Sequence, residues 1–244
     1  MPITPQNTTA LILAAGHGKR MLPLTESTPK PLLKVGRYSL IEHHLIRLAE
    51  LGFKHVVINV AYLANQIIET LGDGSKYGLS IDFSDESSTG ALETAGGIKK
   101  ALKYIKSDPF ISINADIWTD FDFTELLSSK PEYATLVMVK NPPQNPSGDF
   151  VLSADGALTN ITQNNDNEDK QRSAMTYSGI ALYRRHFFND IAETKSALGP
   201  IFKNRIAQQQ LSGKALNGQW FDIGTPERLD DIRQLVTDLV EKID

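Results

Sequence analysis

The chain has 244 residues, 41% of them hydrophobic and 22% charged, with a formal net charge of −4 and no cysteine. That length allows one large domain or two small ones with a sizeable core, and the acidic balance argues against a general binder of nucleic acid. The lack of cysteine excludes disulfides and thiolate metal sites, and no apolar run approaches the roughly 20 residues that span a bilayer. A cytoplasmic globular protein with neither membrane nor nucleic-acid partner is the expectation.

The opening MPITPQNTT lacks the basic and apolar segments of a secretory signal and reads as a flexible polar tail over residues 1–9. Leu11, Ile12, Leu13, Ala14 and Ala15 then form an apolar run without alternation, as in a parallel strand covered on both faces. Gly16, Gly18, Lys19 and Arg20 follow, where a small anion-binding loop would lie. SLIEHHLIRLAELG places Ser39 and Glu42 at capping-box spacing, carries one apolar face and stops at Gly52. HVVINVA reads as a buried strand, LANQIIETLG as a helix and LSIDFS as a strand. ETAGGIKKALKYI is a glycine-entered helix, and PFISINAD and ATLVMVK are further strands. This βαβ rhythm predicts an α/β fold with a mostly parallel sheet.

From about residue 141 the texture changes. NPPQNPSGDF is a proline-rich excursion, and ITQNNDNEDKQRSAM reads as an exposed polar loop between antiparallel strands. TYSGIALYRR and ALNGQWFDIG are strand-like. Thr225 as N-cap, Pro226 at the first helical position and Glu227 in the first turn open a last helix. Its apolar face is Leu229, Ile232, Val236, Leu239 and Ile243. No linker or repeat divides residues 10–244, so one α/β domain with a β-rich insertion is predicted.

The glycine loop fails the Walker pattern, and Met21 stands where a dinucleotide fingerprint needs its third glycine. It fits a nucleoside triphosphate cradle. Small residues at Ala14, Ala15 and Gly16 admit a base, Gly18 permits a tight turn, and Lys19 and Arg20 meet phosphate charge. A plain strand-ending glycine turn fits the same residues. Downstream, STPKPLL holds Lys30 between two prolines, which restrict Thr28 and Lys30 to extended conformations and suit a point charge fixed against a phosphate. Asn114 and Asp116 end an apolar strand at the edge where open α/β sheets bind ligands. Asp222 in WFDIGTPERL is a second carboxylate of this kind, and the two could hold magnesium. Each aspartate equally suits a helix cap.

Taken together, LILAAGHGKRMLPLTESTPKPLL, ETAGGI, NADIWTDFDF, SGDF, YSGI and WFDIGTPERL resemble the signature of the sugar-1-phosphate nucleotidylyltransferases over nearly the whole chain. Within that family the chain is most similar to a short uridylyl branch of peptidoglycan recycling that carries no C-terminal β-helix domain. The resemblance implies a Rossmann-like nucleotidyltransferase fold, with a nucleotide-binding part over about 10–140, a sugar-binding part over 141–224 and a terminal helix over 226–243. It implies UTP and a sugar 1-phosphate as substrates, Mg²⁺ as cofactor and a monomer. Leu13, Ala14, Ala15, Gly16 and Gly96 would meet the base, with Gly18, Lys19, Arg20 and Lys30 on the triphosphate. Asp116 and Asp222 would hold the metal, and Asn114, Gly148, Asp149 and Gly179 would meet the sugar. Arg20, Lys30 and Asp116 would carry catalysis.

Two departures stand out. The Glu-Lys-Pro element whose lysine holds the sugar phosphate in many relatives is missing, with only Lys170 and Arg172 nearby. Glu93 replaces the first glycine of the GTAG found in guanylyl relatives, which leaves the base open. A thymidylyl- or guanylyltransferase acting on glucose or mannose 1-phosphate is therefore an alternative, as is a non-catalytic nucleotide-sensing subunit. The five histidines lack metal-ligand spacing, and Trp118 and Trp220 read as core residues that could also cover a sugar ring.

Overall fold

The computed structural model describes residues 2–161 and 174–240. Strand β1 (Thr9–Leu13) leads into the glycine loop, a hairpin of β2 (Lys34–Val35) and β3 (Tyr38–Ser39), and helix α1 (Leu40–Glu50). Next come β4 (His55–Val60), α2 (Ala64–Leu71), β5 (Ser80–Asp85), α3 (Glu93–Ala101) and β6 (Phe110–Asn114). The second half holds β7 (Ile117–Thr119), β8 (Ala134–Val139), β9 (Phe150–Leu152), β10 (Leu158–Asn160) and β11 (Ala174–Tyr183). Helix α4 (Leu198–Ala207), β12 (Leu211–Ala215), β13 (Trp220–Asp222) and helix α5 (Pro226–Val240) complete it.

The centre of the sheet is parallel, in the order β6-β1-β4-β5, with Ile12 level with Ile58 on one side and Ile113 on the other. Strand β11 enters antiparallel beside β6, and the sheet continues through β9 and β10. Strand β8, which the βαβ rhythm had continuing the parallel run, pairs antiparallel with β11 and takes β12 as a parallel neighbour. The mixed α/β sheet with a β-rich insertion is thus the architecture seen.

Successive residues of the buried strands face opposite ways, and this splits the core. Ile12, Ile58 and Ile113 pack in one cluster with Ile41, Leu45 and Leu48 of α1 and Ile67 of α2. Leu11, Val57 and Phe110 pack in the other with Ile98 of α3 and Phe202 of α4. Each fully buried aliphatic side chain contributes roughly 1.5–3 kcal/mol, against about 0–1 for an exposed ion pair. Packing, not surface charge, therefore fixes where the strands end.

Helix α1 starts as its sequence says. The Ser39 N–H and hydroxyl both donate to the Glu42 carboxylate, at 2.8 and 2.7 Å, and Gly52 beyond its end takes a left-handed φ of +89°. Helix α4 was not anticipated, because Gly199 and Pro200 interrupt the sequence at its start. Leu198, Phe202 and Ile206 are nonetheless buried along one face. Helix α5 begins with the Leu229 N–H on the Thr225 carbonyl at 3.1 Å. Its Leu229 and Ile232, with Ile223, cover Met21 of the glycine loop. Met21 is fully buried, which explains why no glycine stands there.

The start of the chain is less free than a loose tail. The Asn7 side chain accepts from the Thr4 N–H at 2.8 Å, Ile3 packs on the core, and Thr8 and Thr9 are buried. Lys170, Arg172 and Ile243 lie outside the described residues. No helix among the described residues is long and apolar enough to cross a membrane.

Candidate active site

A cleft of about 360 Å³ opens at the carboxyl ends of β1 and β6. Leu13, Ala14, Ala15, Gly16, Gly18, Lys19, Arg20, Lys30, Asn114 and Asp116 all line it. Two strand ends separated by about a hundred residues thus bring most of the predicted nucleotide and catalytic residues to one place.

The glycine loop is built for a tight turn. Gly18 has a φ of +63°, its carbonyl accepts from the Met21 N–H at 2.8 Å, and the Thr25 hydroxyl donates to it at 3.0 Å. A side chain there would be strained and would press on Thr25 and Lys30 carbons at 3.1 Å. Lys19 and Arg20 emerge from this turn exposed. Beneath it, the Ala14 N–H donates to the Asn59 side-chain oxygen at 2.8 Å, and the Asn59 amide donates to Glu86 at 2.7 Å. Glu86 is fully buried and also accepts from the Leu92 N–H at 2.8 Å. This network ties the end of β1 to the start of α3, whose Glu93 and Thr94 are two more residues of the cleft wall. Asn59 and Glu86 were missed, although Asn59 follows an apolar strand run much as Asn114 does.

Lys30 departs from expectation in two ways. It is not extended but opens a 3-10 turn (Lys30–Leu32), closed by the Leu33 N–H on its carbonyl at 3.1 Å. Nor is it a free cation, since its Nζ lies 2.7 Å from Asp116 Oδ2 and the residue is only 7% exposed. Burying an ammonium alone is costly, and the aspartate offsets that cost. Strands β7 and β13 pair antiparallel with Ile117 opposite Asp222, and the Ile223 N–H donates to the Asp116 carbonyl at 2.9 Å. The two predicted metal carboxylates therefore come from neighbouring backbones. Asp222 is also ion-paired, with Arg228 of α5, and accepts from Gln144 at 3.3 Å.

Magnesium is held by one or two carboxylates together with substrate phosphates, and Asp116 with Asp222 is a donor set of that kind. No cluster of three or more metal-ligating side chains occurs among the described residues. Gly96 does not line the cleft. A Cβ on it would stand 2.0 Å from the Thr194 carbonyl oxygen, so it is a packing glycine where α3 meets the 194–196 loop. Gly97 leaves room in the same way for the Asn59–Glu86 pair.

A second cleft of about 680 Å³ shares Thr94 and Asn114 with the first. Gly148 and Asp149 line it, with Tyr177, Phe202 and Lys203. Gly179, with a φ of +84°, sits where the Asn114 amide would collide with any Cβ, at 2.7 Å, and so acts by making room for Asn114. Asp149 is committed to its turn, its oxygens accepting from Asn145 Nδ2 at 3.0 Å and from the Tyr177 N–H at 2.8 Å. Trp118 and Trp220 line neither cleft. Trp220 Nε1 donates to the Ser178 carbonyl at 2.9 Å, and Trp118 meets Phe221 edge-on.

Residues 9–238 match the family model described as nucleotidyl transferase. The chain belongs to that family. It is 44% identical to the N-acetylmuramate alpha-1-phosphate uridylyltransferase of Neisseria meningitidis serogroup B, across 93% of this chain and 97% of that one. It is 30% identical to the Caulobacter vibrioides protein of the same name, across 89% of this chain and 92% of the relative. A mannose-1-phosphate guanylyltransferase catalytic subunit beta of Drosophila melanogaster is also 30% identical, but the match spans only 62% of it. Among solved structures of this nucleotidyl transferase fold, HddC from Yersinia pseudotuberculosis complexed with GMP-PN matches with a TM-score of 0.77 at 21% identity. That match covers 94% of this chain and 99% of HddC.

Proposed function

We propose that this nucleotidyl transferase makes UDP-N-acetylmuramate and pyrophosphate from UTP and N-acetylmuramate 1-phosphate, with magnesium. The observation that carries this reading is the pair of clefts meeting at Thr94 and Asn114. A nucleotide in the first and a sugar in the second would bring their phosphates together beside Lys30 and Asp116. The 44% identity to the Neisseria enzyme over both chains supports uridine and N-acetylmuramate as the pair.

In this reading Leu13 to Gly16 receive the base, and Gly18, Lys19, Arg20 and Lys30 hold the triphosphate. A phosphate oxygen of the sugar attacks the α-phosphorus of UTP, and the bond to the β-phosphate oxygen breaks in line, releasing pyrophosphate. The nucleophile is already ionised at neutral pH, so no general base is required. Arg20 and Lys30 neutralise charge on the reacting phosphates, and Asn114 orients the sugar. Asp116 and Asp222 would hold magnesium, which supplies charge neutralisation and alignment of the phosphates when bound.

Pyrophosphate release tests this across UTP, dTTP and GTP, each with the 1-phosphates of N-acetylmuramate, N-acetylglucosamine, glucose and mannose. UTP with N-acetylmuramate 1-phosphate should exceed every other pair in kcat/KM, and chelation of divalent cations should stop turnover until magnesium returns. Preference for dTTP with glucose 1-phosphate or GTP with mannose 1-phosphate would overturn the substrate assignment.

A further inference from the structure

The second cleft has a single cation among its described lining residues, Lys203 on α4. No ion pair engages it among the described residues. The residues three and four positions away along the helix are Pro200, Gly199, Ile206 and Ala207, so no carboxylate on its own helix face balances it. The one acid among the described lining residues, Asp149, already accepts from Asn145 and Tyr177. The Lys203 carbonyl accepts from Asn160 Nδ2 at 2.8 Å, which fixes this turn of the helix against β10 while the side chain stays exposed. The same helix turns its first residues, Leu198 and Gly199, to the cleft, and its N-cap Ala197 provides no side-chain acceptor. Its free N–H groups favour negative charge on the same side.

Most of a sugar 1-phosphate cannot use such a cation. Ring hydroxyls and the acetamide are neutral, and the reacting phosphate must lie at the junction with the first cleft, beside Lys30 and Asp116. N-acetylmuramate differs from N-acetylglucosamine by a lactyl ether that ends in a carboxylate. Tyr177 and Phe202 beside Lys203 suit the apolar parts of such a bulky substituent.

We propose that Lys203 binds the lactyl carboxylate and is the residue that selects N-acetylmuramate over its neutral parent sugar. The inference rests on the substrate reading above. A hydrogen-bonded charge pair in a half-open cleft corresponds to roughly 10- to 100-fold in selection.

The test compares Lys203→Met and Lys203→Arg with the unaltered chain, using UTP and either N-acetylmuramate 1-phosphate or N-acetylglucosamine 1-phosphate. For Lys203→Met the ratio of kcat/KM between the two sugars should fall by about 10- to 100-fold, mainly through a higher KM for N-acetylmuramate 1-phosphate. Lys203→Arg should restore most of the ratio. Calorimetric binding of UDP-N-acetylmuramate and UDP-N-acetylglucosamine gives the same comparison without turnover, and Lys203→Met should erase the difference in affinity. An unchanged ratio, or equal losses for both sugars, sinks the lysine assignment while leaving the substrate reading intact. An unaltered chain that neither converts N-acetylmuramate 1-phosphate nor binds its product would overturn both.

Discussion

At the scale of single residues, the proposed chemistry rests on the Lys30–Asp116 pair. Lys30 is buried while the Asp116 side chain is 38% exposed, which leaves the carboxylate accessible to a metal ion in the proposed reaction. Asp116→Asn should lower kcat by about a thousandfold or more, the cost of a lost metal-mediated contact in the transition state, and should also lower the melting temperature of a still folded protein, because buried Lys30 loses the charge that offsets its burial. Near-normal turnover in magnesium buffer would refute the role. Lys30→Met separates charge from packing, because the methionine keeps the apolar stem of the lysine. Turnover should drop by at least about a hundredfold, as for removal of one preorganised charge, while Asp116 stays solvated and the protein stays folded. A collapse in melting temperature with unchanged kinetic constants would make Lys30 structural. The sequence made both residues visible, one by its prolines and the other by ending an apolar strand. Their pairing across 86 positions was not visible, since no local spacing rule links a loop turn to a distant strand end.

Among the elements, those with strong periodicity or clear caps were legible, and those whose reason is tertiary were not. Helix α1 shows its capping box in the sequence, and β1, β4 and β6 show their burial as mostly apolar runs. Helix α4 hides behind Gly199 and Pro200, and β8 looks parallel until β11 is seen beside it. The glycines of ETAGGI show how a motif can resemble one role while the fold gives its residues another. They resemble a nucleotide-contacting element, yet Gly96 lies against the Thr194 carbonyl and Gly97 against Asn59 and Glu86. Gly96→Ala should therefore destabilise the protein by about 3 kcal/mol or more, because its Cβ meets backbone that cannot rotate away. Urea unfolding would show this as a lower midpoint with an unchanged slope. A midpoint equal to that of the unaltered chain would mean that the 194–196 loop is not fixed against α3.

For the molecule as a whole, two ionisable groups on α1 carry large shifts that bear on the response to acid, beside smaller downward shifts at Asp73, Asp82, Asp85, Asp155 and Glu227. His44 is 2% exposed and its Nε2 has no hydrogen-bond partner among the described residues. Burial pushes its pKa from 6.5 down to about 4, with the His43 charge acting the same way and the Ile117 backbone and Asp116 charge acting against it. The unfolded chain therefore takes up a proton near pH 6.5 that the folded chain refuses until about pH 4. Stability is full above that window and is lost as pH falls through it, by an amount of about 3 kcal/mol. Glu42 extends the loss. Burial opposes its ionisation, but hydrogen bonds from Ser39, Lys34 and Tyr77 hold its carboxyl down at about 2 against a usual 4.5. Its contribution is present above pH 4.5 and disappears as pH falls toward 2. Melting temperatures between pH 7 and pH 3 should fall in two overlapping stages. His44→Leu should flatten the upper stage and Glu42→Gln the lower one, each at some cost to stability at neutral pH. A curve for the unaltered chain that stays level from pH 7 to pH 5 would show that His44 is protonated in the folded state, and that the packing of α1 against β7 tolerates its charge.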